Sequence, residues 1–284
     1  MNAMRKLGLE LWLLLRDRLL WGFLAAFGLL NWAIIQINLP PANAGWELEE
    51  CLPELFGISD ALLYHELLPA VLAESLFLCF WLVLTGLERE RVAGTAPITY
   101  TTKTGRRLAG NRILAGLAAS TFMFLILSGL SVGCFFALHP ARSVYLQAHS
   151  GQSPSFAAHI AACGLLCYGI LLSFGLLTGA AGLLFRSSFL GFLFVAALLA
   201  AWLFSVRLCR PEPAFWQWPM IWNPANVLFT VEDEKLMLRI SRWFLRSDPV
   251  SPFAGIEPEL VGSWVLFGAG LFFATWRGFL KKEM

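Results

Sequence analysis

Six long apolar runs, each of 19 to 30 residues, constrain this chain more than any other feature. A helix of about 20 residues crosses the ~30 Å hydrocarbon core of a bilayer, so every run is long enough to span one. The alternating pattern of barrel strands is absent. We therefore expect an all-α, polytopic membrane protein with six transmembrane helices. The predicted spans are residues 19–39, 67–87, 113–138, 156–185, 188–206 and 260–280.

The composition agrees with burial in lipid. Hydrophobic residues make up 58% of the 284 residues and charged residues only 14%, whereas a soluble domain carries about 25% charged residues. So few charges argue against a cytosolic enzyme and against a disordered chain. The net charge of +2 provides no broad field for a polyanion, which argues against a nucleic-acid partner.

The distribution of Lys and Arg predicts the orientation, because basic connections stay cytoplasmic. The N-terminal segment and the connection 88–112 are rich in basic residues, whereas the connection 40–66 has none and is acidic. This alternation places both termini in the cytoplasm of a multi-pass protein in the plasma or inner membrane. Segment 207–259 carries six basic residues offset by seven acidic ones, and we expect it outside.

Two segments are expected to lie on the membrane as helices. In residues 1–18 the charged side chains fall mostly on one side of a helical wheel, which is typical of an interfacial helix. The alternative is an extension of the first span. In segment 207–259, apolar residues recur at helical spacing over 232–246 and three tryptophans precede them. Because Trp favours the headgroup layer, we predict an extracytoplasmic helical cap.

The six cysteines include no C-x-x-C pair. Cys51 and Cys209 both fall in predicted outer segments, so a disulfide between them is an open alternative. His159, Cys163 and Cys167 share one helical face. The first and last of these lie about 12 Å apart along a helix, which is too far for one metal ion. Packing of the cysteines as small apolar residues is therefore favoured, and no metal site is predicted.

Sequence motifs for catalysis are missing. The chain has no G-x-x-x-x-G-K-[ST] phosphate loop, no H-E-x-x-H and no G-x-S-x-G. We expect no catalytic residues, no enzyme activity and no ATP hydrolysis by this chain alone. Two small-residue motifs, Gly129-x-x-x-Gly133 and Gly175-x-x-x-Gly179, have the spacing that lets membrane helices approach closely.

The connection 88–112 carries the most specific pattern. It contains Glu88-x-Glu90-x-x-x-Gly94-Thr95, followed by Thr102-Lys103-x-Gly105-Arg106-Arg107. Physically this is a charged end of the second span, a glycine break, a short polar stretch and a basic helix start. An ordinary basic cytoplasmic loop explains the arginines but not the order of Glu, Gly and Thr.

This pattern resembles the segment after the second span of ABC-2 type permeases, the membrane subunits of ATP-driven exporters. In that family the segment carries the coupling helix that docks on the ATPase, and an interfacial elbow helix precedes the first span. The chain departs from the family at Asn111-Arg112, where a Gly-Lys is common, and its outer segment is longer. The resemblance implies that these residues couple to the ATPase: Glu88, Arg89, Glu90, Arg91, Gly94, Thr95, Lys103, Gly105, Arg106 and Arg107.

The resemblance also implies partners and a cargo path. Residues 1–284 would form one transmembrane domain that pairs with a second copy or a paralogue and with a cytoplasmic ATPase, which binds ATP and Mg²⁺; no cofactor is expected in this chain. The path would run along the second and fifth spans and suit a hydrophobic or amphipathic cargo such as a membrane-active peptide, lipid or drug. Aromatic residues facing lipid are the alternative. The implied path residues are Glu74, Phe77, Phe80, Trp81, Phe189, Phe192, Phe194 and Trp202.

Glu74 is the one acidic residue deep within a predicted span. An ionisable group at such depth is a functional candidate, although a hydrogen-bonded packing role is the alternative. Two other classes of function remain open from the sequence. One is a membrane-embedded redox or metal-handling protein that uses the outer His and Cys residues. The other is a non-transporting subunit for peptide immunity or sensing.

Overall fold

The computed structural model describes residues 3–37, 63, 67–95, 101–138, 156–185, 187–208 and 258–281. Over these residues the chain forms seven helices and no strand, so the all-α prediction is confirmed there. The helices are α1 (Ala3–Leu15), α2 (Arg18–Ile37), α3 (Leu68–Val92), α4 (Lys103–Leu138), α5 (Phe156–Leu184), α6 (Ser188–Leu208) and α7 (Pro258–Lys281).

Four helices in the described part of the chain are long and apolar enough to cross a membrane. They contain Arg18–Ile37, Leu68–Arg89, Thr104–Leu138 and Cys163–Leu184, which coincide with the first four predicted spans. The fifth and sixth predicted spans are helical as α6 and α7. Neither has a described stretch that is both long and apolar enough to cross a membrane, although Phe189–Leu198 of α6 is a shorter apolar helix. The chain is a helical, membrane-embedded protein.

Side-chain caps explain where two of the helices begin. Asp17 accepts a hydrogen bond from the Leu19 amide at 3.0 Å and so caps the start of α2. The indole of Trp21 donates to the Leu15 carbonyl at 2.7 Å, which closes the corner between α1 and α2. At the start of α4, Thr102 Oγ1 accepts from the Gly105 amide at 3.1 Å. Unpaired amides at helix starts are satisfied in this way.

The second predicted span continues as α3 through the charged residues to Val92. The amides of Ala93 and Gly94 bond back to the carbonyls of Arg89 and Arg91, and Gly94 has a φ of 69°. That left-handed conformation is favourable for glycine and strained for other residues, so it ends the helix where the sequence pattern predicts a break.

Close contacts at two glycines show the relative direction of α3 and α4. Gly116 of α4 lies against Val83 of α3, where an added Cβ would come within 2.9 Å of the Val83 Cα, so the two backbones nearly touch. Since Arg112 lies opposite Gly86 in the same way, α3 and α4 are antiparallel. The helix α3 also packs on α5, α6 and α2, and α5 packs on α7.

The two small-residue motifs differ in their surroundings. A Cβ on Gly179 would lie 2.7 Å from Ile113 of α4 and 3.4 Å from Phe272 of α7, so this motif seats three helices closely. Gly129 and Gly133 have no neighbouring atom within 4 Å among the described residues. Of the two, only Gly175-x-x-x-Gly179 therefore brings described helices together.

Several predictions lie outside the described residues. These include Cys51 and Cys209, and nearly all of the cap predicted for segment 207–259. The side chains of all four histidines also lie outside them.

Candidate functional site

Arg91, in the last turn of α3, holds the end of α5. Its guanidinium donates to the carbonyl oxygens of Gly182 at 3.1 Å and Phe185 at 2.8 Å. The final carbonyls of a helix have no partner within that helix and carry partial negative charge, so a cation there is favourable. Glu88 lies one turn earlier, with its Oε2 3.3 Å from Arg91, and keeps the guanidinium in place.

Arg89 makes an equivalent contact in another direction. It donates to the carbonyl oxygen of Leu13 in the last turn of α1, at 2.9 Å. The same turn of α3 is therefore bonded to α1 on one side and to α5 on another. We call the end of the bundle where these contacts lie the basic end.

A third arginine joins α4 to α1 at the basic end. Arg112 Nε donates to Glu10 Oε1 at 3.2 Å, and the two side chains are only 12% and 11% exposed. Sequence reasoning placed Glu10 with the charges of an interfacial helix, and Arg112 with the basic residues of the connection 88–112 and as a departure from the family pattern. The sequence feature that could have indicated this ion pair is the position of the Glu10 carboxylate within the Leu-rich part of residues 4–18.

Most of the predicted coupling residues are either braced or exposed, and Arg106 is half-buried. Arg89 and Arg91 bind helix ends, and Gly105 is buried beside its capping threonine. The side chains of Glu90 and Lys103 lie outside the described ones. The exposed coupling residues are Gly94, Thr95 and Arg107. Together with their exposed neighbours they form a surface that we call the tip: Val92, Ala93, Gly94, Thr95, Thr101, Thr102, Thr104 and Arg107.

Val92 is a part of the tip that sequence reasoning missed. Its side chain is 82% exposed although it follows directly on the charged turn of α3. A single exposed apolar residue is common on protein surfaces. Its position beside Gly94 and Thr95 gives the tip an apolar contact point in addition to Arg107.

A second group of polar residues lies inside the bundle. Asn31 Nδ2 donates to Glu74 Oε2 at 2.8 Å and to Ser131 Oγ at 3.1 Å. The three side chains are 1%, 7% and 3% exposed in that order. They join α2, α3 and α4, and we call them the polar cluster. Sequence reasoning singled out Glu74, but Asn31 and Ser131 carry no charge and passed as ordinary span residues.

The helix ends place the polar cluster away from the basic end. Asn31 is six residues from the end of α2, and Glu74 is six residues from the start of α3. Ser131 is seven residues from the end of α4. At 1.5 Å per residue all three lie about 9–11 Å from those ends, in one layer of the bundle.

The predicted cargo-path aromatics are spread over two interfaces. Phe77 lies edge-on to Phe23 at 5.2 Å and to Phe27 at 5.9 Å, and Trp81 lies edge-on to Phe23 at 5.6 Å, so these rings face α2. Among the described ring pairs of the predicted path, Phe80 and Phe192, at 6.4 Å, connect α3 to α6.

Phe189 and Phe194 of α6 make no ring contact with α3 among the described side chains. Phe189 and Phe194 are 65% and 48% exposed, and Phe194 contacts Phe185 at 5.4 Å. The side chain of Trp202 lies outside the described ones.

Metal-ligating residues do not gather in the described part of the chain. No group of three or more His, Cys, Asp or Glu side chains there has the geometry to hold a metal ion. Cys163 and Cys167 of α5 are buried within the apolar core, as small hydrophobic residues would be.

The chain was also compared with known proteins. No family model, no curated protein and no solved structure matches it.

Proposed function

We propose that this chain is the membrane subunit of an ABC-type exporter, with six transmembrane helices and its basic end in the cytoplasm. ATP would be hydrolysed by a separate subunit that binds ATP and Mg²⁺. The orientation follows from the basic residues, which favour the cytoplasmic side. The helix order supports six spans, because α2 to α7 follow one another at the positions of the six apolar runs.

The observation that carries this proposal is the set of arginine contacts around the tip. Arg89 joins α3 to α1, Arg91 joins α3 to α5, and Arg112 joins α4 to α1. The exposed tip lies between α3 and α4, directly beside these contacts. A force applied to the tip therefore reaches four helix ends through bonded groups, and such helices move together as a body.

The proposed transport cycle uses this connection. Closure of an ATPase dimer would push the tip of each of two permease copies, which are identical or paralogous. The braced helices would then shift relative to the second copy and expose the cargo to the other side of the membrane. The outward-facing rings of Phe189 and Phe194 would face lipid or that second copy, and a hydrophobic or amphipathic cargo would move along such apolar surfaces.

Arg107→Glu tests the docking role of the tip. Arg107 is exposed on the tip, so reversal of its charge should leave the fold intact and weaken binding to an ATPase surface that accepts a cation. We expect the amount of ATPase that co-purifies from native membranes to fall about tenfold or more, since like charges brought together at an interface cost several kcal/mol. The measurement is affinity purification with quantitative mass spectrometry.

Arg5→Glu is the matched control, because Arg5 is also exposed but lies on α1 and is not one of the tip residues. It should recover the same amount of ATPase as the original chain. Full recovery of an ATPase with Arg107→Glu, or recovery of none with the original chain, would count against the proposed function.

A further inference from the structure

The polar cluster has two hydrogen-bond acceptors that nothing in the described residues satisfies. Asn31 Oδ1 and Glu74 Oε1 are both buried and make no hydrogen bond. Some buried hydroxyls of the bundle are satisfied, since Ser120 and Thr178 bond to carbonyls of their own helices at 2.7 Å, whereas Ser75 Oγ and Ser173 Oγ have no partner among the described residues. A buried acceptor without a partner costs about 1–3 kcal/mol, and more when it is charged. A hydrogen-bond donor that reached these two acceptors would therefore stabilise the cluster.

No basic side chain of the described residues supplies that donor. The nearest arginine on α3 is Arg89, which lies fifteen residues from Glu74, or about 22 Å along the helix. Arg18 is thirteen residues from Asn31 on α2, which is about 20 Å. Both arginines lie toward the basic end, so the carboxylate of Glu74 has no cation of its own among the described residues.

The described residues of the cluster do not form a protein cage for Ca²⁺ or Mg²⁺. Ca²⁺ and Mg²⁺ take about six or more oxygen ligands, and the cluster offers only the carboxylate, one amide oxygen and one hydroxyl. An alkylammonium group fits better, since two of its three N–H donors can bond to the two open acceptors, Asn31 Oδ1 and Glu74 Oε1.

Aromatic rings continue from the cluster along the interface of α2 and α3. Phe27 and Phe23 lie one and two turns from Asn31, and Phe77 and Trp81 lie one and two turns from Glu74. These rings contact one another edge-on at 5.2–5.9 Å. Phe77 is 38% exposed on the outside of the bundle. An apolar tail can therefore lie against the rings from the lipid side, and ring faces also attract a cation.

We propose that the polar cluster and these four rings form a binding site for a cationic amphipath, with a primary ammonium group at Asn31 and Glu74 and an apolar tail along Phe77. The site lies between α2, α3 and α4, whereas the family resemblance places the path along the second and fifth spans. Only the statement that this ligand is a transported cargo rests on the proposed function. A proton on Glu74 is the competing occupant.

The test uses the full chain in lipid nanodiscs without any ATPase. Radiolabelled octylammonium is titrated, and binding above that of empty nanodiscs is measured; unlabelled octylammonium and unlabelled octanol compete in parallel. We expect saturable binding that octylammonium displaces and octanol does not. Octanol carries the same tail without the cation, so this comparison needs no variant of the chain.

Glu74→Gln keeps the size of the side chain and its acceptor for Asn31 but removes the charge. We expect the dissociation constant for octylammonium to rise by about tenfold or more, as loss of a charge-assisted hydrogen bond implies. Ser131→Ala should raise it by about threefold, because Asn31 loses one anchor. Ser128→Ala is the matched control on the same helix, since its hydroxyl bonds to the Phe124 carbonyl at 2.6 Å and lies outside the cluster. It should bind as the original chain does.

Absence of saturable octylammonium binding by the original chain would overturn the proposal. Equal displacement by octanol, or unchanged affinity in a Glu74→Gln protein of normal helix content, would do the same and would favour a protonated Glu74. Because no ATPase is present, failure here leaves the co-purification result for Arg107→Glu untouched, and failure of that experiment leaves this one untouched.

Discussion

Replacing Arg112 with alanine is expected to lower the free energy of unfolding by about 3 kcal/mol or more. The change leaves the carboxylate of Glu10 largely buried with its ion pair removed, and a buried charge that has lost its pair is strongly destabilising. The measurement is unfolding of the purified chain in mild detergent by titration with sodium dodecyl sulfate, followed by circular dichroism.

The double variant Glu10→Ala with Arg112→Ala is the informative comparison. Removing both partners removes the unpaired charge, so the double variant should recover much of the stability that the single variant loses. Arg107→Ala is a control on the same helix, because Arg107 is exposed and its loss should change stability by less than about 0.5 kcal/mol. If the loss of stability in the double variant equals the sum of the losses from Glu10→Ala and Arg112→Ala measured separately, the account of this contact is contradicted.

Gly116→Ala is the second change for which a large effect is expected. The new methyl group would meet the backbone of Val83, at 2.9 Å from its Cα, and neither helix has room to yield without moving the other. Overpacking of this kind costs about 1–3 kcal/mol, and we expect the upper part of that range because the obstacle is backbone. The same titration measures the loss.

Gly129→Ala is its matched control. It is the same substitution on the same helix α4, but no atom of the described residues lies within 4 Å of the added methyl group. Alanine is the better helix former by up to about 1 kcal/mol, so this variant should be as stable as the original chain or slightly more so. Equal losses from the two changes would show that α3 and α4 do not approach closely at Gly116.

The helices of this fold could be predicted largely from the sequence. Run length and hydropathy located the helices α2 to α7, and the left-handed Gly94 ends α3 where the motif predicts a break. These features are local, since a span is recognised from its own residues. The start of α4 at a capping threonine is equally local.

The partners of the polar side chains could not be predicted in this way. Asn31 and Ser131 are separated by 100 positions, and Arg112 and Glu10 by 102, so each pair exists only once the helices have packed. The excess of basic residues at one end indicated orientation. It did not indicate that Arg89 and Arg91 would bind the ends of two other helices.

The aromatic residues show a related limit. A helix has several faces, and the sequence of α3 does not state which face meets which neighbour. Phe77 and Trp81 turn toward α2, while Phe80, between them, turns toward α6. The spacing of the three residues separates them onto different faces, but the identity of the facing helix depends on tertiary packing.

Site-specific crosslinking at the tip tests the central claim most directly. A photo-crosslinking amino acid is placed at Val92, which is highly exposed at the basic end, and in a control at Leu125, which is 61% exposed in the middle of α4. Irradiation of native membranes is followed by purification and mass spectrometry. The proposed function predicts a crosslink from position 92, but not from position 125, to a protein with an ATP-binding phosphate loop. No such protein at position 92, or the same products from both positions, would contradict it.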